Sequence, residues 1–268
     1  MDLKSIFGCH SVPFTREVRI EDLFLLPFFE EAREGLTHAV EKRSMAALIA
    51  PPGSGKTTVL RAVRARLAEA RYSVHYVKCT DISKREMCRE IAVACSLKTV
   101  GSFPMLLRRV QERFETLVGE SGQRPVLFLD EAHDLRPDVL NMLRVLTNFE
   151  MDSRLVLAVV LTGQPGLATM LEREELDAIA RRIIHYATLR PLSRDETAKY
   201  VELRMTAAGA RQSPFDGPSL EAIFEIGRGS LRLTDSLALG SLEIAAEAKL
   251  QTVGTQHVAA ARRRLFPC

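Results

Sequence analysis

Tryptophan is absent from the 268-residue sequence, and only four tyrosines are present. Stacking of nucleic-acid bases on aromatic rings is therefore not an obvious binding mode. No uninterrupted apolar run is long enough to cross a bilayer, so no membrane segment is expected. The opening Met1-Asp2-Leu3-Lys4-Ser5 lacks the pattern of a secretory leader, and a cytoplasmic location is expected. The five cysteines (Cys9, Cys79, Cys88, Cys95, Cys268) are odd in number and lack paired metal-ligand spacing. That points to reduced thiols rather than disulfides or zinc. Neither sign of charge dominates: the net charge of +3 permits nucleic-acid contact without demanding it. Internal repeats and low-complexity tracts are absent as well. What remains is an ordinary globular composition, long enough for a large core and two domains.

The chain is organised around Ala50-Pro51-Pro52-Gly53-Ser54-Gly55-Lys56-Thr57-Thr58. An apolar run, Met45–Ile49, precedes it and reads as a buried strand; Val59–Leu67 follows with helical spacing of apolar residues. Strand, glycine-rich turn and helix, in that order, are what a phosphate-binding loop requires. Gly53 and Gly55 allow a tight turn whose N–H groups point inward at phosphate oxygens, and the helix N-terminus adds partial positive charge. Pro52, Gly53, Ser54, Gly55, Lys56, Thr57 and Thr58 are the expected nucleotide-binding residues. Lys56 suits the β/γ-phosphates and Thr57 suits Mg²⁺. Ala50 stands where the usual pattern has its first glycine, at the end of the strand, where a methyl group is tolerated. The alternative, a glycine turn without ligand, fits the Lys-Thr offset poorly.

A second signal is Val126-Leu127-Phe128-Leu129-Asp130-Glu131. An apolar strand here delivers two carboxylates to the carboxyl edge of a sheet. Asp130 suits a magnesium ion held through its water shell, and Glu131 suits orientation of the attacking water. Asp130-Glu131-Ala132-His133 also spells a helicase box. That reading needs a second motor domain, for which the remaining helical segment is too short, and His133 reads as a structural residue. Leu161-Thr162-Gly163-Gln164 closes the next strand; Thr162, with Gln164 as runner-up, is placed to hold the water or the γ-phosphate. A plain strand-ending turn explains it equally well. Arg181-Arg182 precede the last strand, and one of them suits a finger entering a neighbouring subunit's site. A surface basic pair is an equal alternative. Arg232, in the first turn of a later helix, is placed to report the γ-phosphate.

Between these motifs the periodicity predicts helices over 28–42 (with Phe28, Ala32, Leu36, Ala39 and Val40 on one side), 83–95, 103–118 and 137–146. It predicts strands over 45–49, 74–79, 126–129, 155–161 and 183–187. Ser83 or Asp81 suits a helix cap, and Gly119 and Gly122 read as a helix end. Alternating strands and helices give an α/β class with a parallel sheet. After Pro191 only helical patterns appear, near 193–209, 217–227, 230–248 and 255–265, with a capping box at Ser193 to Glu196. The expected domains are an arm over 1–25, packed rather than regular around Phe7-Gly8 and Val12-Pro13-Phe14, an α/β core over 26–190 and a helical lid over 191–268.

Together these residues resemble the AAA+ ATPases, over nearly the whole chain. The phosphate loop, the Asp-Glu strand, the polar strand end, the Arg-Arg pair and Gly229-Ser230-Leu231-Arg232 occur in that family's order. The resemblance implies ATP and Mg²⁺ as cofactors and ATP hydrolysis as the activity. Lys56, Thr57, Asp130, Glu131, Thr162, Arg182 and Arg232 would take the family's Walker, sensor and finger roles, with Arg181 still open as the finger. Closer similarity is to the ExeA/GspA-type ATPases and their transposon-encoded relatives. It is carried by Phe7-Gly8, Pro13-Phe14, Leu146–Ser153, Gly163–Leu167 and Leu192–Thr197. Secretion members of this type continue into a membrane span and a cell-wall-binding region, which this sequence lacks. That favours the branch resembling the TnsC, IstB and MuB target-selection proteins. It implies a homo-oligomer, ring or helical filament, assembled on duplex DNA with ATP and recruiting a DDE transposase. Lys84, Arg85 and Arg89 are the first candidates for DNA contact; Arg108-Arg109 and Arg262-Arg263-Arg264 follow, each with a solvated helix face as the bland alternative. Competing readings are an assembly ATPase for secretion or envelope biogenesis and a small-molecule kinase, which the helical lid and arginine pair fit poorly.

Overall fold

The computed structural model describes residues 3–15 and 26–266. It contains two compact units. One comprises Leu26–Pro51 and Lys56–Leu189; the other gathers the N-terminal residues, the loop residues Pro52–Gly55 and the chain from Arg190 onward.

The first unit is built on five strands: β1 (Met45–Ile49), β2 (Tyr72–Lys78), β3 (Arg124–Asp130), β4 (Ala158–Gly163) and β5 (Ile183–Thr188). They pair in parallel in the order β2-β3-β4-β1-β5. Every residue of β1 and β4 is buried, as strands covered on both faces must be. β2, at the edge, is only partly buried. A short α1 (Leu3–Phe7) belongs to the other unit; α2 (Pro27–Glu41) leads into β1 and packs on the sheet, and α3 (Lys56–Arg66), α4 (Lys84–Ala94), α5 (Phe103–Gly119) and α6 (Pro137–Leu146) lie in the crossovers that follow. Proline occupies the first turn of α2, α5 and α6, where its missing N–H costs nothing. Ser83, not Asp81, caps α4: its hydroxyl accepts from the Glu86 N–H and the Glu86 carboxylate accepts from the Ser83 N–H. The fully buried Phe114, Leu127, Leu129, Leu140 and Leu143 fill the core on one side of the sheet. Each removes side-chain surface worth about 1.5–3 kcal/mol from water.

Several expectations need correction. α2 buries Phe29 rather than Phe28, because the apolar side is fixed by packing against β1 and β5; Phe28 stacks on Phe29 instead. β4 begins at Ala158, since Leu155 is exposed in the approach to the strand. Gly119 is the last residue of α5, one residue beyond the expected bound, and Gly122 takes a left-handed turn after it. Two short helices, α7 (Gly166–Leu171) and α8 (Asp177–Ala180), precede β5 and are too short to show a period. The N-terminal residues are not wholly irregular, because α1 forms there; residues 16–25 of the expected arm lie outside the described residues.

The second unit holds α9 (Arg194–Ala207), α10 (Gly217–Gly227), α11 (Leu231–Glu247) and α12 (Thr255–Leu265). Ser193, Asp216 and Ser230 cap the first three with side-chain oxygens. Phe14 packs edge-on against Phe215 and lies, with Cys9, in the core formed by Val201, Ile223, Leu237, Leu242 and Val258. The Arg204 guanidinium is buried. It donates to the Thr15 carbonyl, the Tyr200 hydroxyl and Asp235, so one charge ties the N-terminal residues to α9 and α11. Among the described residues no helix is long and apolar enough to cross a membrane. The four described cysteines are free and buried, and burial pushes the Cys88 thiol up to about 11 and Cys95 to about 12.

Candidate nucleotide site

The strand order brings the carboxyl ends of β1, β4 and β3 side by side. Leu48 pairs with Thr162, Ile49 with Gly163 and Leu129 with Leu161. The Ala50 N–H continues this ladder onto the Gly163 carbonyl. Ends of parallel strands beside a reversal in strand order are where open α/β sheets bind ligands. After Ala50 the backbone turns through Gly53 and Gly55, both left-handed with φ of 74° and 97°, and enters α3 at Lys56. Among the described residues, no backbone carbonyl accepts from the N–H of Gly53, Gly55, Lys56 or Thr57. These donors at a helix N-terminus fit phosphate oxygens.

Lys56 is 6% exposed, and its Nζ donates to the carbonyls of Ala50 (3.2 Å) and Pro51 (3.5 Å). The ammonium is thereby held over the loop by its own strand end. Thr57 is exposed and Thr58 half-buried; Ser54 is buried within the loop, and Pro52 is exposed at its tip. In the second unit, the Arg232 N–H approaches the Gly53 carbonyl at 3.4 Å. A β-carbon on Gly53 would lie 2.6 Å from the Ser230 hydroxyl, so this cradle has room only for glycine.

Asp130 is 4% exposed at the end of β3 and accepts three hydrogen bonds. Tyr76 donates its hydroxyl to Oδ2 at 2.9 Å, the Glu131 N–H donates to Oδ1 at 2.9 Å, and the Thr162 hydroxyl donates to Oδ1. Thr162 is fully buried, and its hydroxyl is committed to the carboxylate rather than pointed at solvent. Burial and the Asp130 carboxylate push the Tyr76 phenol well above its usual range. Burial, with Asp130 adding to it, pushes the Cys79 thiol up to about 12. Glu131 adopts a left-handed backbone, φ 57°, uncommon for a residue with a β-carbon. Its carboxylate lies 3.5 Å from His133 Nδ1, and His133 Nε2 lies 3.6 Å from Asp134. His133 thus stands between two carboxylates, a position that the sequence did not disclose.

Arg182 forks onto Asp152 with contacts of 2.9 and 2.7 Å, and its Nη1 also approaches the Thr147 hydroxyl at 3.4 Å. Arg181 is 79% exposed and pairs with Asp177. Gln164 is half-buried just past β4. Lys84 and Arg85 are exposed in the first turn of α4. Lys84 lies over the Phe103 ring, and Arg85 donates to the Gly101 carbonyl. Arg89 is half-buried, and its Nε has no partner among the described residues. Arg109 donates to the Val100 carbonyl and Arg108 is exposed beside it. Arg262, Arg263 and Arg264 are all exposed, and Arg264 is engaged by Glu247.

Tyr76 beside Asp130, His133 beside Glu131 and Asp152 beside Arg182 are contacts of the candidate residues that motif spacing missed. Tyr76 lies 54 residues from Asp130 and Arg182 lies 30 from Asp152, so only the folded sheet brings each pair together.

Known proteins share this architecture. A family model described as an AAA domain matches residues 38–171, half of the chain. General secretion pathway protein A of Aeromonas hydrophila is 30% identical over 231 residues, 85% of this chain; the chain spans 42% of that relative's length. Among solved structures, Cdc6p of Pyrobaculum aerophilum superposes with a TM-score of 0.71 at 19% identity, covering 98% of this chain and 71% of its own. The Aeropyrum pernix ORC1 protein, solved in complex with DNA, gives a TM-score of 0.71 at 19% identity, with 94% of this chain and 68% of its own. The Thermotoga maritima RuvB branch migration motor gives 0.64 at 18%, with 94% and 73% covered. At these identities the structural likeness speaks for the fold.

Proposed function

Because the chain belongs to the AAA domain family, we propose that it hydrolyses ATP and that the bound nucleotide governs association between copies of the chain. The observation that carries this reading is the buried Asp130 carboxylate, fixed by three donors at the sheet edge where Lys56 begins its helix. In this reading the free N–H groups of Gly53, Gly55, Lys56 and Thr57 cradle the phosphates, and Lys56 turns from its loop carbonyls to the β/γ-phosphates. The Thr57 hydroxyl and Asp130 would hold magnesium, which when bound spreads charge away from the transferring phosphate. Glu131 orients a water and draws off its proton. Thr162 holds Asp130 in place, a positioning role rather than direct contact with water. Arg182 of a neighbouring copy offsets charge on the phosphate, and Arg232 responds to its loss.

The named secretion relative supports an assembly ATPase acting on a secretion or envelope partner more than a transposition factor. A second reading, assembly on duplex DNA with a DDE transposase as partner, draws on the exposed Lys84, Arg85 and Arg108, with the half-buried Arg109 beside them, around the 97–103 loop. On that reading, DNA affinity requires ATP and falls steeply with salt; binding indifferent to both would reject it.

Magnesium-dependent phosphate release tests the activity. The wild-type protein should release phosphate from ATP, and Lys56→Ala should not. Equal release by both, or none by either with nucleotide bound, would overturn the assignment.

A further inference from the structure

Tyr76 has no place in the motifs that define the nucleotide site, yet its hydroxyl is one of three donors on Asp130. The reason is topological. Tyr76 pairs with Phe128 and Lys78 with Asp130, so Tyr76, Phe128 and Asp130 share one face of the sheet. Tyr76 stands diagonally across from Asp130, a distance that a long aromatic side chain can span. Thr162, on the strand at the other side of β3, completes a row of hydroxyl, carboxylate and hydroxyl across β2, β3 and β4.

Packing alone does not explain the tyrosine. Its side is open, with the residue 45% exposed on the edge strand, while its hydroxyl is engaged at 2.9 Å. A phenylalanine would fill the same space and leave Asp130 Oδ2 without a donor. A carboxylate offers about four acceptor positions. The Thr162 hydroxyl and the Glu131 N–H fill those of Oδ1, and Tyr76 takes one on Oδ2. The remaining Oδ2 position is therefore the one open to a metal ion or its water shell, and the phenol sets its direction.

We infer that Tyr76 is a positioning residue for the magnesium side of the site, acting through Asp130. This rests on the nucleotide-site reading above. It goes beyond it by assigning metal coupling to an edge-strand residue outside both motifs. Donors behind a metal-binding carboxylate commonly change metal affinity by about 10–100-fold when removed. An ion held through water should respond near the lower end of that range.

The test is a fluorescent ATP analogue titrated onto wild-type protein and Tyr76→Phe, in EDTA and over a magnesium series. The magnesium concentration for half-maximal tight binding should rise roughly tenfold in Tyr76→Phe, with the affinity in EDTA unchanged. An unchanged magnesium midpoint, or an equal loss with and without magnesium, would overturn the inference. If Tyr76→Phe does not fold, 3-fluorotyrosine placed at position 76 of the otherwise native chain gives an independent reading. Its ¹⁹F resonance should move when magnesium is added to nucleotide-loaded protein, and a resonance that stays put would overturn the inference. Wild-type protein without nucleotide affinity would remove the site itself, a failure visible before any substitution is compared.

Discussion

Arg182 and Asp152 form a two-pronged ion pair, Nη1 to Oδ1 at 2.9 Å and Nη2 to Oδ2 at 2.7 Å. Asp152 closes a run of three left-handed residues, Glu150, Met151 and Asp152, with Met151 almost fully exposed. Backbone of this kind in non-glycine residues is held only where surrounding structure requires it. The guanidinium proposed to serve a neighbouring copy is thus aimed by a carboxylate of its own chain. Asp152→Ala should cost the fold no more than about 1 kcal/mol, since the pair is partly solvated, yet should change ATP turnover in the assembled state. Arg182→Ala should lower turnover by about 10³-fold or more with nucleotide affinity retained. Mixing Arg182→Ala with Glu131→Gln subunits should restore some activity at mixed interfaces. Steady-state phosphate release checks all three, and absence of rescue would place the arginine outside a shared site.

Glu131→Gln should bind ATP normally and lose about 10²–10⁴ in turnover, the usual contribution of a general base. His133→Ala removes the ring beside that carboxylate. It should lower turnover less than Glu131→Gln does, without changing nucleotide affinity. Single-turnover hydrolysis compared with equilibrium binding separates the two effects.

Glu196 accepts a forked pair of hydrogen bonds from Arg190 and one from the Ser193 N–H. The Arg190 guanidinium is the main cause of a carboxyl pKa drawn down to about 2. A lowered folded-state pKa contributes stability above the unfolded value and loses it as pH falls through the folded one. Stability should therefore decline from about pH 4.5 towards pH 2 by an amount that Glu196→Gln lacks. Arg190 is more than half exposed, which limits the difference to about 1 kcal/mol. Denaturant melts of the two proteins across that range measure it.

Gly229 sits one residue before the cap of α11, with φ of 72°. A β-carbon there would fall 2.1 Å from the Leu192 carbonyl oxygen, a backbone atom that cannot swing aside. Gly229→Ala should destabilise the helical unit by about 1–3 kcal/mol or more. It should also disturb the turn that carries Arg232. Thermal denaturation with and without nucleotide reports both effects.

The phosphate loop and the Asp130-Glu131 strand end were legible because each is a local pattern set by backbone turns and short spacing. The strands of the sheet were legible for a similar reason: β1 and β3 are continuous apolar runs bounded by polar residues. Phe28 and Phe29 could not be told apart, since either begins a helical stripe and only packing on the sheet selects Phe29. Residues 166–180 hid two helices because four to six residues carry no readable period. Thr162 was placed at the right strand end. Its hydroxyl bond to Asp130, like that of Tyr76, depends on which strands become neighbours, and spacing along the chain carries no such information.

Nucleotide held at Lys56 and Asp130 is proposed to control how copies of the chain associate. Mass photometry of Glu131→Gln with magnesium and ATP tests it most directly. Large assemblies should form with ATP, single chains or small species should remain without it, and Lys56→Ala should show no ATP-dependent change. The same mass distribution for both variants, with and without ATP, would contradict it.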